Sequence, residues 1–209
     1  MVDDEVDLLD AWRGGDLSAG NTLFERHYRA IYRFFHGRVS GELDDLVQTT
    51  FARCAASKDR LDGGGTFRGY AYAVARNVLR EHYRAQRGAR EIDFGSQSVT
   101  DLGATPTALI AQRQEQRLLL EALRTIPLDH QIALELSYWE GLSSRDLARV
   151  LDVPVGTAKT RLRAARKALE ARLTEIAASP EQLASTLGDL ERWSAALRDH
   201  LADDPHAGR

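Results

Sequence analysis

Residues 143–173 read SSRDLARVLDVPVGTAKTRLRAARKALEARL and form the most informative segment of the sequence. Its pattern predicts a helix, a short turn and a second helix. Ser143 or Ser144 can cap the first helix, because a serine hydroxyl accepts a hydrogen bond from an unpaired amide there. Pro154 has no N–H and interrupts the helical pattern. Asp152 stands in the turn, where aspartate tolerates a left-handed backbone better than most residues.

The second helix of this stretch begins near Val155 or Gly156. Its apolar residues are spaced four, three and four apart, which places them on one stripe: Ala158, Leu162, Ala165 and Leu169. Another stripe carries Lys159, Arg163, Arg166 and Lys167. A helix with one packing side and one basic side is typical of recognition helices that enter the DNA major groove. An amphipathic hairpin with a solvated basic face is the alternative.

A longer segment, from Ile126 to Leu169, resembles a known family. It reads IPLDHQIALELSYWEGLSSRDLARVLDVPVGTAKTRLRAARKAL and is similar to the fourth conserved region of bacterial sigma factors of the extracytoplasmic-function type. In that family the region binds the minus-thirty-five element of the promoter. The resemblance implies that five residues contact this DNA: Thr157, Lys159, Thr160, Arg163 and Arg166.

The charge distribution supports two contacts with nucleic acid. The 209 residues carry a formal net charge of −3, but the charges are segregated. Residues 155–173 hold six basic residues against one acidic residue, and residues 60–90 hold seven against two. Residues 1–18 and 174–209 are acidic. Two basic patches between acidic ends predict two separate surfaces for nucleic acid.

Several functional classes are disfavoured by composition. The single cysteine, Cys54, rules out a disulfide framework and a cysteine-cluster zinc site, and it fits a reducing cytosol. The acidic N-terminus does not resemble a signal peptide, and no apolar run approaches the ~20 residues that span a bilayer. We find no catalytic triad, metal-ligand cluster or nucleotide-binding loop. The sequence therefore predicts a cytoplasmic, non-enzymatic protein without a cofactor or metal.

Residues 42–54, ELDDLVQTTFARC, form a second informative segment. Helical spacing places its apolar residues on one face, and Ser40 is predicted to cap the helix. The string DDLVQTTF resembles the helix with which sigma factors bind the clamp of the largest RNA polymerase subunit. The resemblance implies core-polymerase contacts by Asp45, Gln48 and Thr49. The family usually has Glu where Thr49 stands, so one charge contact is missing.

Residues 66–87, TFRGYAYAVARNVLREHYRAQR, predict a long helix capped by Thr66. Arginines at four-residue spacing with aromatics between them are suited to binding a single DNA strand, because arginine neutralises phosphate and aromatic rings stack on exposed bases. The alternative is that the arginines form a solvated helix face and the aromatics belong to the core. The segment resembles the part of sigma factors that melts and reads the minus-ten element, where the preceding loop pockets a flipped base. Tyr70 stands where the family usually has Trp. The implied contacts are Phe67, Arg68, Tyr70, Arg76, Asn77, Arg80 and Arg84.

The whole pattern predicts an all-α fold with two helical domains. We assign residues 1–87 to the polymerase and minus-ten domain, 88–106 to a flexible linker without periodicity, and 107–173 to the helix-turn-helix domain. Residues 174–209 form an acidic extension with a predicted helix from Glu181 to about Leu201.

The predicted function is that of an alternative sigma factor, which binds RNA polymerase core and directs promoter-specific initiation. Its expected partners are the core enzyme and promoter DNA, with no membrane. Whether an anti-sigma factor binds, or the extension docks on the protein itself, is left open. The alternative function is a helix-turn-helix regulator that is not a polymerase subunit, which leaves DDLVQTTF unexplained.

Overall fold

The computed structural model describes residues 3–58, 65–88, 92–102 and 114–179, together with Gln182, Leu183 and Thr186. Regular structure in these ranges is helical, apart from one isolated bridge between Ser98 and Pro127. The helices are α1 (Asp3–Arg13), α2 (Leu17–His36), α3 (Leu43–Ala56), α4 (Phe67–Gln86), α5 (Gln114–Thr125), α6 (Leu128–Leu134), a π-helix (Glu135–Trp139), α7 (Ser144–Leu151) and α8 (Val155–Ile176). The predicted all-α class is confirmed.

Helices α1 to α4 form an amino-terminal bundle around aromatic side chains. Phe67 lies at its centre, with ring centroids 5.8 Å from Trp12, 6.0 Å from Phe24 and 5.3 Å from His27. Edge and stacked ring contacts of this kind add to the burial of aromatic surface. His27 also belongs to this core and is only 8% exposed. Its ring packs on Phe67 and its Nε2 lies 3.4 Å from a Glu5 carboxylate oxygen.

Local capping follows the sequence closely in most places. Thr66 accepts a hydrogen bond from the Gly69 amide at 3.0 Å, and Ser143 accepts one from the Asp146 amide at 3.1 Å. Asp152 ends α7 with φ of 54°, as its place in the turn predicts. The cap by Ser40 is wrong: α3 begins at Leu43 and follows Glu42, whose side chain makes no capping bond.

Helices α5 to α8 form a carboxyl-terminal bundle. The chain from Leu128 is α-helical as far as Leu134 and then widens into the π-helix. Gly141 follows with φ of 64°, a backbone conformation that glycine adopts without steric cost, and turns the chain towards α7. The far half of α8 packs on α5 through a small apolar cluster: Leu118, Leu119, Ala122, Leu123, Ala165, Leu169 and Leu173.

Residues 92–102 connect the bundles as a packed, non-helical strap. Ile92, Phe94, Val99 and Leu102 are buried. The Phe94 carbonyl accepts a 2.8 Å hydrogen bond from the Asp129 amide, which ties the strap to α6. These residues belong to the segment predicted as a flexible linker, 88–106, and they are packed against both bundles. The remaining linker residues, apart from 88, lie outside the described ranges.

The two bundles share a core. One apolar cluster includes buried residues of α1 to α4, the strap, α6 and α7. Helix α7 approaches α4 so closely that a Cβ on Gly69 would lie 2.8 Å from Asp146 Cβ. Real Cβ atoms do not approach so closely, so only glycine at this position permits the contact. Each bundle therefore buries part of the other bundle's surface.

Only the beginning of the acidic extension is described. Ile176, Ala177 and Leu183 pack on the α5–α8 cluster, and Thr186 is buried. The rest of the helix predicted from Glu181 to about Leu201 lies outside the described residues. Within the described ranges, no helix combines the length and the apolar character needed to cross a membrane.

Candidate nucleic-acid and polymerase interfaces

The predicted polymerase contacts lie together on α3. Asp45 and Gln48 are exposed and Thr49 is half-buried. The opposite side of the helix is packed in the core through Leu46, Val47, Thr50, Phe51 and Cys54. Because that stripe is buried, the helical repeat turns the polar residues outward. The structure therefore presents an accessible acidic and amide-bearing face.

The predicted minus-thirty-five contacts also lie on an accessible surface. Thr157, Lys159, Thr160, Arg163 and Arg166 are all exposed along α8. Arg161, which is not in this set, turns towards the interior and donates to Asp129 Oδ2 at 3.0 Å. Ala158 and Ala165 are fully buried on the packed side. The helix has the one-sided exposure that major-groove entry needs.

The predicted minus-ten contacts divide into two groups. Asn77 and Arg84 are exposed, and Arg80 is half-buried with its guanidinium 5.4 Å from the Phe94 ring centre. These three line an open cleft together with Arg53, Ser57, Val74 and Glu81.

The other four predicted residues face the protein itself. Phe67 is in the aromatic core, and Tyr70 is half-buried with its hydroxyl 3.4 Å from the Ser57 carbonyl. Arg68 and Arg76 are paired with carboxylates of the carboxyl-terminal bundle. The seven residues are thus not brought to one open face. Of the loop expected to pocket a base, residues 59–65, only Gly65 lies within the described residues.

Asp129 binds arginines from both predicted DNA-contacting helices. Its Oδ1 accepts from Arg76 Nε at 3.0 Å and from Arg76 Nη2 at 2.8 Å, and its Oδ2 accepts from Arg161 Nη1 at 3.0 Å. The Arg76 and Asp129 side chains are 4% and 5% exposed. A buried carboxylate needs such partners, because an unpaired charge in the interior is strongly unfavourable.

Glu140 and Glu135 complete the interface. Glu140 accepts from Arg33 Nη2 at 3.1 Å and also pairs with Arg68, while Glu135 pairs with Arg38. Burial alone would raise the pKa of the Glu140 carboxyl, but Arg33 and Arg68 outweigh burial and hold that pKa below its ordinary value. The carboxylate therefore stays charged against the amino-terminal bundle.

Sequence reasoning missed these three acidic residues. A signal for two of them was present: Asp129 and Glu140 lie on the same helical stripe as Ile132 and Leu136, at spacings of three, four and four. An acidic residue at each end of an apolar stripe predicts buried charges that need cationic partners. The sequence does not show which arginines those partners are.

Family comparisons match both bundles. The sigma-70 region 2 model matches residues 23–89, and the sigma-70 region 4 model matches residues 116–169. Together they cover more than half of the chain. The chain is 26% identical over 181 residues to the ECF RNA polymerase sigma-E factor of Haemophilus influenzae, covering 81% of this chain and 95% of that protein. The Escherichia coli K12 sigma-E factor matches at 26% identity, with 81% and 94% covered.

Two solved structures share the fold. CnrH, solved in complex with the cytosolic domain of CnrY, aligns with a TM-score of 0.61 at 22% identity, covering 83% of this chain and 99% of that chain. The sigma factor RpoE, solved with the anti-sigma factor NepR from Bartonella quintana, aligns with a TM-score of 0.50 at 20% identity, covering 78% and 99%. The chain thus belongs to the sigma-70 family, as an alternative sigma factor of the extracytoplasmic-function type that directs transcription.

Proposed function

We propose that this sigma factor binds RNA polymerase core through Asp45, Gln48 and Thr49 on α3, and anchors the enzyme on promoters through α8. The observation that carries this proposal is the exposure of both faces: each lies inside a matched sigma-70 region and remains uncovered while the two bundles are packed together. The working domains are residues 1–87 and 107–173, joined by 88–106 and followed by the extension 174–209. The protein acts as a cytoplasmic, non-catalytic initiation subunit.

On the minus-thirty-five duplex, α8 enters the major groove with its exposed side. Arg163 reads a base edge, because a guanidinium can donate two parallel hydrogen bonds to guanine. Lys159 and Arg166 neutralise phosphates, and Thr157 and Thr160 position the helix near its N-terminus. Ala158 and Ala165 remain in the bundle core and hold the orientation of the helix.

On the minus-ten element, α4 binds the opened strand. Asn77, Arg80 and Arg84 already line an open cleft, so they make the first contacts. Extruding a base costs a few kcal/mol, which stacking and phosphate contacts must offset. Arg68 and Arg76 can contact the DNA strand only after their ion pairs with Glu140 and Asp129 break. The bundles must therefore separate before all the minus-ten contacts form. Because α3 is exposed beforehand, polymerase can bind first.

We also propose a protein inhibitor as a partner. The Bartonella quintana sigma factor with this fold was solved with an anti-sigma factor. The acidic α3 face and the exposed basic α8 face offer such a partner two charged surfaces on one molecule. The function as a plain helix-turn-helix regulator is not favoured, since it leaves the region 2 match without a role.

The test is run-off transcription with purified bacterial core polymerase on a library of random promoter sequences. Discrete start sites that depend on this protein are expected. The double variant Asp45→Asn, Gln48→Ala should lose core binding and transcripts together. Glu25→Gln, an exposed change elsewhere in the same bundle, should retain both. If the wild-type protein neither binds core nor yields transcripts, the proposal is wrong.

A further inference from the structure

The acidic extension begins with a break in the chain direction directly after α8. That helix ends at Ile176, and Ala177 takes an extended backbone conformation with φ of −67° and ψ of 134°. A new helical turn then starts: Ser179 Oγ accepts from the Gln182 amide at 3.2 Å, and Gln182 Oε1 accepts from the Ala178 amide at 2.8 Å. Such reciprocal bonds between a serine and a glutamine three residues later are typical of the start of a helix.

The new turn covers an apolar part of the carboxyl-terminal bundle. Leu183 packs on the cluster that α5 and α8 form, beside Ile176 and Ala177. Thr186 is fully buried, and its hydroxyl donates to the Gln182 carbonyl at 2.8 Å. Residues three apart lie on the same side of a helix, so Leu183 and Thr186 direct one side of this turn at the bundle.

The sequence continues the stripe that Leu183 begins. Its apolar residues are spaced four, three, seven and four apart: Leu183, Leu187, Leu190, Leu197 and Leu201. Residues 187–201 lie outside the described ranges. A helix over these residues would place the leucines on one side, the side on which Leu183 is already docked.

Charge and family coverage point to the same occupant. Residues 177–201 hold four acidic and two basic residues, whereas residues 155–173 of α8 hold six basic residues against one acidic residue. Opposite charges favour contact between the two segments. The extension also lies beyond both matched family regions, the second of which ends at 169. Since 81% of this chain matches 95% of the Haemophilus influenzae protein, most of the remaining fifth of this chain has no counterpart there.

We propose that residues 177–201 form a docking helix that covers the α5–α8 cluster of the same molecule. The surface below it binds an amphipathic helix with leucines on one side and acidic residues on the other. A short tether gives the segment an effective concentration of about 1 mM, so any other helix that uses this surface must displace it. The residues of α8 predicted to contact DNA, such as Arg163, stay exposed. The extension therefore controls access of a protein partner and leaves the DNA-facing side of α8 open.

The test uses the full-length protein and a fluorescein-labelled synthetic peptide of residues 177–201, with binding measured by anisotropy. Leu183→Asp in the protein places a charge against the apolar cluster and should release the tethered segment. The peptide should then bind this variant with a dissociation constant below about 100 µM, because a tether supplying about 1 mM keeps about nine-tenths of the segment docked only below that value. Wild-type protein should bind the peptide at least about tenfold more weakly, since its own segment competes.

Matched controls separate docking from general effects of charge. Ala178→Asp changes an exposed position of the same segment, and this protein should behave like wild type. A peptide with Leu183→Asp should bind the released protein at least about tenfold more weakly, whereas a peptide with Ala178→Asp should match the unmodified peptide. Trypsin should also cleave after Arg192 at least about tenfold more slowly in wild type than in Leu183→Asp, because a docked segment resists proteolysis.

Four results would overturn the inference. They are no peptide binding to Leu183→Asp protein at about 1 mM, equal peptide binding to wild type and Leu183→Asp, undiminished binding of the Leu183→Asp peptide, or equal cleavage rates at Arg192. Sedimentation of wild type as a dimer that Leu183→Asp dissociates would also contradict it, by assigning the extension to a second copy. None of these measurements uses polymerase or promoter DNA, so their failure leaves the proposed sigma activity to be judged by its own experiment.

Discussion

Arg76 and Asp129 join α4 to α6 through a two-point ion pair that excludes almost all solvent. The Nε and Nη2 atoms of Arg76 lie 3.0 and 2.8 Å from the same carboxylate oxygen. The arginine is one that the family resemblance assigns to the minus-ten strand. In the packed arrangement a carboxylate of region four therefore occupies it, and a phosphate cannot.

Replacing Asp129 by Asn should release this contact. Removing one partner of a buried pair costs about 3–5 kcal/mol, because the remaining charge is left without compensation. We expect the free variant to expand in small-angle scattering and to bind a fluorescent single-stranded DNA at least about tenfold more tightly. Asp10→Asn, which removes an exposed pair with Arg13 away from the predicted DNA contacts, is the control and should leave both readouts unchanged. An Asp129→Asn protein of wild-type size and affinity would contradict the closing role of the pair.

Gly69→Ala tests the contact between α4 and α7. Alanine is favoured over glycine within a helix by about 0.5–1 kcal/mol, so α4 itself should gain stability. The new Cβ would nevertheless lie 2.8 Å from Asp146 Cβ, which forces α7 away. We expect expansion of the free protein together with retained helix content.

Gly37→Ala provides the comparison for that variant, since a Cβ there meets nothing within 4 Å. Its scattering profile should match that of wild type. If Gly69→Ala left the radius of gyration unchanged, the bundles would tolerate the added methyl group and the close packing would not restrict this position.

The contact between the two bundles should depend on pH through the ionisation of Glu140. Its pKa is lowered from the ordinary 4.5 because Arg33 and Arg68 outweigh the effect of burial. A lowered pKa in the folded state contributes stability above the unfolded pKa and loses it as the pH falls through the folded value. We therefore expect the bundles to loosen below about pH 4.5, as measured by fluorescence transfer between them. Glu140→Gln should remove this part of the transition, and an identical pH profile would show that other groups dominate.

Cys54 should behave as an inert core residue. It is fully buried, and burial raises the pKa of its thiol to about 12. Because only the thiolate reacts, iodoacetamide at pH 8 should alkylate the native protein at least about a hundredfold more slowly than the denatured protein. Mass spectrometry over time measures both rates. Rapid labelling under native conditions would mean that α3 opens far more readily than its packing indicates.

Arg163→Ala should weaken binding to minus-thirty-five duplex by about 1–3 kcal/mol and change the base preference at one position. Arg172→Ala is the matched control on the same helix, since that guanidinium is engaged by Thr125 and Glu175. Binding to a panel of single-base promoter variants measures the effect. A uniform loss across the panel would make Arg163 a phosphate contact.

Local features of this fold were predictable because their partners lie a few residues away. Thr66 and Ser143 cap helices through amides three residues on, and Asp152 takes the left-handed conformation that its turn requires. The exposed stripe of α8 follows from the helical repeat. In each case the interaction lies within one turn of chain, where residue type and spacing determine the outcome.

The covering of the minus-ten helix was not predictable in this way. Helical periodicity shows that Arg76 is polar, but it does not show whether water, DNA or a carboxylate 53 residues away faces it. The same holds for His27, which the aromatic packing around Phe67 draws inside. Pairings between distant segments depend on how the bundles meet, and no local pattern carries that information.

The arginines that are paired between the bundles also affect how strongly the free protein binds other polyanions. Tight association of a protein with nucleic acid gains entropy when cations leave the phosphates, and the salt dependence grows with each phosphate that is neutralised. Arg33, Arg38, Arg68 and Arg76 are already neutralised inside the molecule. Because these arginines do not contact phosphate in the packed protein, they displace no cations from messenger RNA and do not contribute to non-specific binding. The packed chain thus withholds four positive charges from competing single strands, and these charges become available only where the bundles have separated.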